Sequence, residues 1–251
     1  MINSLNFNDY SKYYDLLYQD KNYSKEVDYI NKFLKTFYLK KKLNILEFGS
    51  GTGKHGNLLA KHGHKVHGIE LSHNMVSKSH STKGFTCQQG DITKIKISKS
   101  FDAILSLFHV LNYQITDKQI NSVFSNAFRH LHSKGIFIFD FWYAPAVIAM
   151  KPSIKMKRVF NKKIEITRIA EPYIYNNKNR VDVKFNVFVK NLMTGKIKKF
   201  IEIHKLRHFN LKEIKNFCDR HNFKLIKSEE FVSGSRLSKS TWGACVVLRK
   251  K

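Results

Sequence analysis

The sequence predicts an α/β fold: a doubly wound parallel sheet with an antiparallel β insert near its C-terminal half. Three observations predict it. Short apolar runs alternate with helical patterns from residue 43 to residue 141, the rhythm of right-handed βαβ crossovers. The first run stops at a glycine-rich loop, Glu47-Phe-Gly-Ser-Gly-Thr-Gly53. After Pro145 the pattern changes to period-two alternation, which reads as a meander.

The elements follow in order. Residues 9–41 read as helical, with Val27, Ile30, Phe33, Leu34 and Phe37 at helical spacing. Leu43 to Phe48 is a buried parallel strand that ends on glycine, and Lys54 to His62 has room for a helix starting at Gly53. Val66 to Leu71 is the second strand, with Ser72 as N-cap of the next helix. Phe85 to Gln88, Phe101 to Leu107 and Gly135 to Phe141 are the third to fifth strands, with a helix at Asn121 to His132. Ile164 to Ile169, Arg180 to Phe188 and Ile197 to Phe209 form the meander, turning at Met193-Thr-Gly195. A helix at Leu211 to His221 and strands at Phe223 to Phe231 and Thr241 to Leu248 close the chain. The expected organisation is one domain built from residues 1–150 and 211–251, with residues 151–210 inserted over the carboxyl ends of the parallel strands.

Composition narrows the class. The chain has 251 residues, 42% hydrophobic, with 3 Pro, which suits a globular protein with a sizeable core. Cys87, Cys218 and Cys245 are scattered, without the ligand spacing of a zinc site, so no metal is expected and the thiols suit a reducing compartment. The N-terminus has no apolar leader and no run approaches a membrane span, so a cytoplasmic protein without membrane attachment is expected. The net charge of +26 would suit a nucleic-acid partner. Only eight of the 45 basic residues are arginine, however, and the lysines are spread along the whole chain. Arginine is the better phosphate fork, so a solvated lysine surface is the favoured reading.

The loop from Glu47 to Gly53 follows a strand and precedes a helix. Its glycines let backbone amides approach a ligand, and the site falls where open α/β sheets bind ligands. Two acids sharpen that reading. Glu70 ends the second strand, where a carboxylate can accept both hydroxyls of a ribose. Asp91 follows the third strand beside Ile92, where a base can be read and packed against.

These residues resemble the class I S-adenosylmethionine-dependent methyltransferases, whose sheet is Rossmann-like. LEFGSGTG looks like their first motif, GIELSHNM their second, QGDI their third and SLFHVLNY their fourth. Within that class the chain is similar to bacterial enzymes that N,N-dimethylate nucleotide-linked amino sugars. That likeness rests on Tyr14-Asp-Leu-Leu-Tyr18, Lys21-Asn-Tyr23, Phe141-Trp-Tyr-x-Pro145 and a late antiparallel insert. The resemblance implies that Gly49, Gly51 and Gly53 flank the methionine end of S-adenosylmethionine, with Glu47 and Ser50 also binding the cofactor. It puts Glu70 on the ribose, Leu71, Met75, Asp91 and Ile92 around the adenine, and Ser106 and Leu107 beside the sulfonium. Tyr14 and Tyr23 would close over the cofactor from the N-terminal helix. A nicotinamide dehydrogenase is disfavoured, because Gly49-x-Gly51-x-Gly53 lacks the later glycine spacing of the dinucleotide fingerprint.

Methyl transfer is an in-line displacement that depends mainly on alignment, and a base is needed only for a protonated acceptor. His109, His204 and Tyr14 are the catalytic candidates. His204 lies in Glu202-x-His204-x-x-Arg207-x-Phe209, where strand alternation sets Glu202 and His204 on one face and Arg207 on the other. Trp142 and Tyr143 are candidate walls of the acceptor pocket, and Arg207 a partner for a diphosphate. The expected reaction is methyl transfer to a small molecule, preferably a nucleotide-linked amino sugar. An RNA or DNA methyltransferase is the second reading. It is weakened by the absence of the Asn/Asp-Pro-Pro-aromatic tetrapeptide after the fourth strand. A basic binding protein with a vestigial cofactor fold is the third, opposed by the intact loop and both acids. The insert sheet, if exposed, could pair two copies into a homodimer.

Overall fold

The computed structural model describes residues 7, 9–39, 42–175 and 178–251. After two short turns of helix at Tyr10–Tyr13 and α1 (Tyr14–Leu17), the chain enters α2 (Tyr23–Phe37), whose N-cap Asn22 accepts from the N–H of Lys25. Residues 40 and 41, the end of the helical stretch expected from the sequence, lie outside the described residues. Then follow β1 (Asn44–Phe48), α3 (Lys54–Lys61), β2 (Lys65–Glu70), α4 (His73–Val76), β3 (Phe85–Gln89) and β4 (Phe101–Ser106). A 3-10 turn (Val110–Tyr113), α5 (Asp117–His130), β5 (Leu131–Trp142) and α6 (Ala144–Met150) lead into the insert, β6 (Lys155–Phe160), β7 (Ile164–Tyr175), β8 (Arg180–Asn191) and β9 (Ile197–Arg207). The chain ends with α7 (Leu211–Arg220), β10 (Phe223–Glu230) and β11 (Gly243–Lys250).

The large sheet has seven strands in the order β10-β11-β5-β4-β1-β2-β3. β11 runs antiparallel to both neighbours, and the remaining pairings are parallel. Strand direction of growth therefore reverses between β1 and β4, which opens a crevice at their carboxyl ends. Alternate residues of each strand feed two apolar layers. Leu46, Ile104, Phe137 and Phe139 pack with Val123, Phe124 and Phe217 of α5 and α7. Ile45, Leu105, Ile136 and Ile138 pack with Ile30, Phe33 and Leu59 of α2 and α3. Each such side chain contributes about 1.5–3 kcal/mol on burial.

The insert is a four-stranded antiparallel sheet in the order β6-β7-β8-β9. Its inner face covers the N-terminal segment: Tyr10 and Leu17 pack on Val159, Ile166, Val187 and Val189. Three details depart from the sequence reading. α5 starts at Asp117 instead of Asn121, because Thr116 and Gln119 form a reciprocal capping box. β6 was not anticipated: Lys-Met-Lys-Arg-Val-Phe is charged and mostly exposed, as an edge strand tolerates. β7 runs on through Pro172 to Tyr175, since β6 pairs only as far as Ala170 and the missing N–H of Pro172 faces an open edge.

Candidate active site

A cavity of about 1220 Å³ opens at the carboxyl ends of the parallel strands, roofed by the N-terminal segment and walled by the insert. Its cofactor-side lining comes from the loops after β1, β2, β3 and β4. Gly49, Ser50, Gly51, Glu70, Leu71, Met75, Asp91, Ile92 and Leu107 all face it. The main-chain N–H of Gly51 donates to Glu70 Oε2 at 2.9 Å, and the N–H of Ser72 to Oε1 at 2.8 Å. One buried carboxylate thus holds both loops, and burial raises its pKa. Asp91 is braced by the N–H and hydroxyl of Thr93, at 2.8 and 2.7 Å. Tyr14 and Tyr23 close the same end. Burial pushes the pKa of both phenols upward, so each remains a hydroxyl donor at neutral pH. Asp15 ties this roof to the loop by accepting from the Thr52 hydroxyl at 2.8 Å.

The opposite end is aromatic. Phe108, His109, Tyr113, Trp142, Trp242 and Phe185 line it, with Ile203 to Leu206 of β9 along one wall. Phe108 and His109 are consecutive non-glycine residues with positive φ, 65° and 62°. Left-handed backbone at such residues costs on the order of 1–3 kcal/mol each and concentrates at functional sites. Asp140, fully buried at the end of β5, grips the strained turn: both its oxygens lie within 3.2 Å of the His109 N–H. His109 Nδ1 lies 2.7 Å from Asp140 Oδ2, off the line along which a ring N–H would point. The carboxylate therefore secures the His109 main chain, and the residue lines the cavity.

His204 is 1% exposed, and both ring nitrogens are engaged. Nδ1 lies 2.8 Å from the Tyr113 hydroxyl and Nε2 3.3 Å from Glu202 Oε2. Glu202 also accepts the main-chain N–H groups of Phe7 and Tyr10, each at 2.9 Å. Sequence reasoning reached Glu202 and His204 through strand alternation. It passed over Tyr113 and Asp140, whose signals were only a polar residue closing SLFHVLNY and an acid inside an apolar strand.

Five expected site residues lie off the cavity. Glu47 is turned beneath the loop, where burial and then the nearby Glu70 raise its pKa to about 8. Gly53 serves packing: a Cβ there would stand 2.6 Å from the ring of Phe85. Ser106 is wholly buried under the cavity floor. Tyr143 follows Trp142 on the other face and bridges to Phe209 at the base of the insert. Arg207, expected to meet a diphosphate, is turned away and paired with Asp117 at 2.6 Å and Glu213 at 3.1 Å.

Among the described residues no helix is long and apolar enough to cross a membrane. Cys87, Cys218 and Cys245 are free thiols.

The methyltransferase domain family matches residues 45–135, the stretch that carries the glycine loop, Glu70 and Asp91. A putative methyltransferase of Geobacillus sp. (strain WCH70) is 24% identical over 234 residues, covering 89% of this chain and 91% of that protein. The dTDP-3-amino-3,4,6-trideoxy-alpha-D-glucopyranose N,N-dimethyltransferase of Streptomyces venezuelae is 24% identical over 211 residues, covering 82% of this chain and 86% of that protein. Solved structures share the fold. The S. venezuelae protein DesVI superposes with a TM-score of 0.81 at 19% identity, over 97% of this chain and 99% of that one. An S-adenosylmethionine-dependent methyltransferase from Clostridium acetobutylicum gives 0.79 at 21% identity, with the same coverage. Glycine loop, strand-end acids, sheet order and family match agree: residues 45–135 form a methyltransferase domain, on a fold shared with S-adenosylmethionine-dependent methyltransferases, and the chain resembles the class I enzymes of that kind, the amino-sugar N-methyltransferases among them.

Proposed function

We propose that this enzyme methylates the amine of a nucleotide-linked amino sugar. One observation carries the reading: a single cavity joins the loops of a cofactor-binding sheet to an aromatic wall supplied by the insert. Its volume of about 1220 Å³ exceeds the ~300–1,000 Å³ typical of one small-molecule site, which leaves room for an acceptor beside the cofactor.

The residues present fit S-adenosylmethionine. The Cβ direction of Gly51 meets no atom within 4 Å, so the loop backbone is open to a ligand there. Glu70 would take the ribose hydroxyls, Asp91 and Ile92 the adenine, and Tyr14 and Tyr23 would cover the methionine end. The cofactor supplies a methyl group on a sulfonium. The chain's work is to align the acceptor and exclude water, and alignment accounts for much of the acceleration in such displacements. Tyr14 contributes a hydroxyl donor to the roof. His109, fixed by Asp140, offers a hydrogen bond to the acceptor group. Trp142, Trp242 and Phe108 would pack against the sugar ring.

The reading is supported by the resemblance to the S. venezuelae N,N-dimethyltransferase. The test is methyl transfer from labelled S-adenosylmethionine to a panel of nucleotide-linked amino sugars, followed by mass spectrometry. Products gaining one or two methyl groups are expected. Transfer confined to other metabolites, with the panel untouched, overturns the acceptor assignment.

A further inference from the structure

An amine at neutral pH arrives as an ammonium, which has no lone pair to attack a methyl group. Something must accept a proton before transfer. Three side chains, Tyr113 at the end of SLFHVLNY and Glu202 and His204 on β9, are lined up for that task. The Tyr113 hydroxyl, on a residue that faces the cavity, lies 2.8 Å from His204 Nδ1. His204 Nε2 lies 3.3 Å from Glu202 Oε2. The carboxylate cannot donate, so Nε2 carries the hydrogen, Nδ1 is the acceptor, and the Tyr113 hydroxyl donates to it.

We propose that Tyr113, His204 and Glu202 form a proton relay that deprotonates the acceptor's ammonium, resting on the amine-methylation reading above. One N–H bond of the ammonium breaks and its proton goes to Tyr113 Oη. The hydroxyl's own proton moves to His204 Nδ1 in the same step. The imidazolium so formed is compensated by Glu202, and the amine keeps the electron pair that then forms the C–N bond as the C–S bond breaks. His204 Nδ1 returns its proton to Tyr113 Oη as the hydroxyl gives its own to water that enters once the product has left. Tyr113 is the catalytic residue. His204 and Glu202 act through it.

The surroundings fit a relay. Burial first, and then the charges of Tyr18, Glu70 and Glu202, push the pKa of Tyr113 well above the ordinary value, so a free phenolate does not accumulate. The rings of Phe7, Tyr10 and Phe185 enclose His204 at centroid distances of 4.9, 5.6 and 4.8 Å. The titratable groups facing His204 are Glu202 on its own strand, Tyr113 from the turn after β4 and Tyr10 from the N-terminal segment. Arg168 of β7 stands behind Tyr10, bonded to its hydroxyl at 2.8 Å. No other carboxylate among these competes with Glu202 for the Nε2 hydrogen.

Y113F and H204Q are the variants to test. Glu202 is unsuitable, since it also holds the N–H groups of Phe7 and Tyr10. Both variants are expected to bind S-adenosylmethionine as the wild type does by calorimetry, while kcat on an amino-sugar acceptor falls roughly 10²-fold or more. The wild-type pH profile should level off near neutrality. In Y113F the rate should rise tenfold per pH unit toward the amine's own pKa, because only free base from solution reacts. A Y113F enzyme with the wild-type rate and profile overturns the relay. Should the wild type methylate no amino sugar, the acceptor reading falls separately, and nitrogen-15 NMR of the His204 ring decides the relay. An Nε2–H tautomer, with Nδ1 accepting a hydrogen bond that Y113F removes, supports it. An Nδ1–H tautomer overturns it.

Discussion

The main-chain N–H of Gly51 donates to Glu70 Oε2 at 2.9 Å, so the carboxylate that ends β2 also shapes the loop that ends β1. Two strand ends that are neighbours in the sheet are thereby held as one surface. Removing the carboxylate loosens the loop and deletes the proposed ribose partner together. Glu70→Ala is expected to weaken S-adenosylmethionine binding by about 1.5–3 kcal/mol, a loss of roughly ten- to a hundredfold in Kd by calorimetry. Glu70→Gln keeps the volume and one acceptor and should lose less. Equal Kd values for wild type and Glu70→Ala would remove Glu70 from the cofactor site.

The last two loop glycines, Gly51 and Gly53, separate binding from packing. A Cβ at Gly53 would meet Phe85 at 2.6 Å, and φ there is +79°. Gly53→Ala should therefore cost about 1–3 kcal/mol from overpacking and a further ~1–2 kcal/mol from the left-handed backbone, measured by urea unfolding. Gly51, at φ +55°, has open space in front of it. Gly51→Ala carries only the backbone cost, and its methyl projects toward the cavity. It should lose cofactor affinity out of proportion to stability.

Glu47 gives a pH signature. Burial, with Glu70 adding to it, raises its pKa from the ordinary 4.5 to about 8. Between those values the folded protein holds a proton that the unfolded chain has released. Stability is therefore fully present below pH 4.5, declines as pH rises, and is lost once pH passes about 8. Glu47→Gln removes that slope. Its unfolding free energy should exceed that of the wild type by a few kcal/mol near pH 8, with little difference in acid. A gap that widens toward low pH would contradict the assignment.

His109 sits in strained backbone that Asp140 secures. Asparagine tolerates the left-handed region better than most residues, so His109→Asn should keep the fold within about 1 kcal/mol of wild type. It removes the imidazole from the acceptor end. The expected result is unchanged S-adenosylmethionine binding with a raised KM or lowered kcat for the acceptor. A full loss of thermal stability would instead show that His109 serves packing.

The fold was legible because each parallel strand announces itself by an apolar run ending on Gly, Glu, Asp or Ser at the sheet's carboxyl edge. Periodicity found every strand of the large sheet. It missed β6, whose alternate lysines carry no apolar signal, and the start of α5, where the signal is the Thr116–Gln119 capping box. The cofactor end was legible for the same reason: Gly51, Glu70 and Asp91 are each fixed by position at a strand end. The acceptor end was not. Tyr113 and His204 lie 91 residues apart and meet only through the docking of β9 against the turn after β4. No local spacing encodes that contact.

Arg207 shows how alternation can be read correctly and its meaning still change. It does point to the opposite face from Leu206, but that face carries Asp117 at 2.6 Å and Glu213 at 3.1 Å, with the guanidinium 5.1 Å from the ring of Phe209. Glu213 is also half of the capping box that starts α7. The arginine thus ties β9 to the first turns of α5 and α7. With Asp117 largely exposed at 61%, its pair contributes no more than about 1 kcal/mol. Arg207→Ala should lower the midpoint of urea unfolding modestly through the lost contacts with Glu213 and Phe209. Acceptor KM should stay at the wild-type value. A selective rise in KM for diphosphate-bearing acceptors, with stability intact, would return Arg207 to the substrate site.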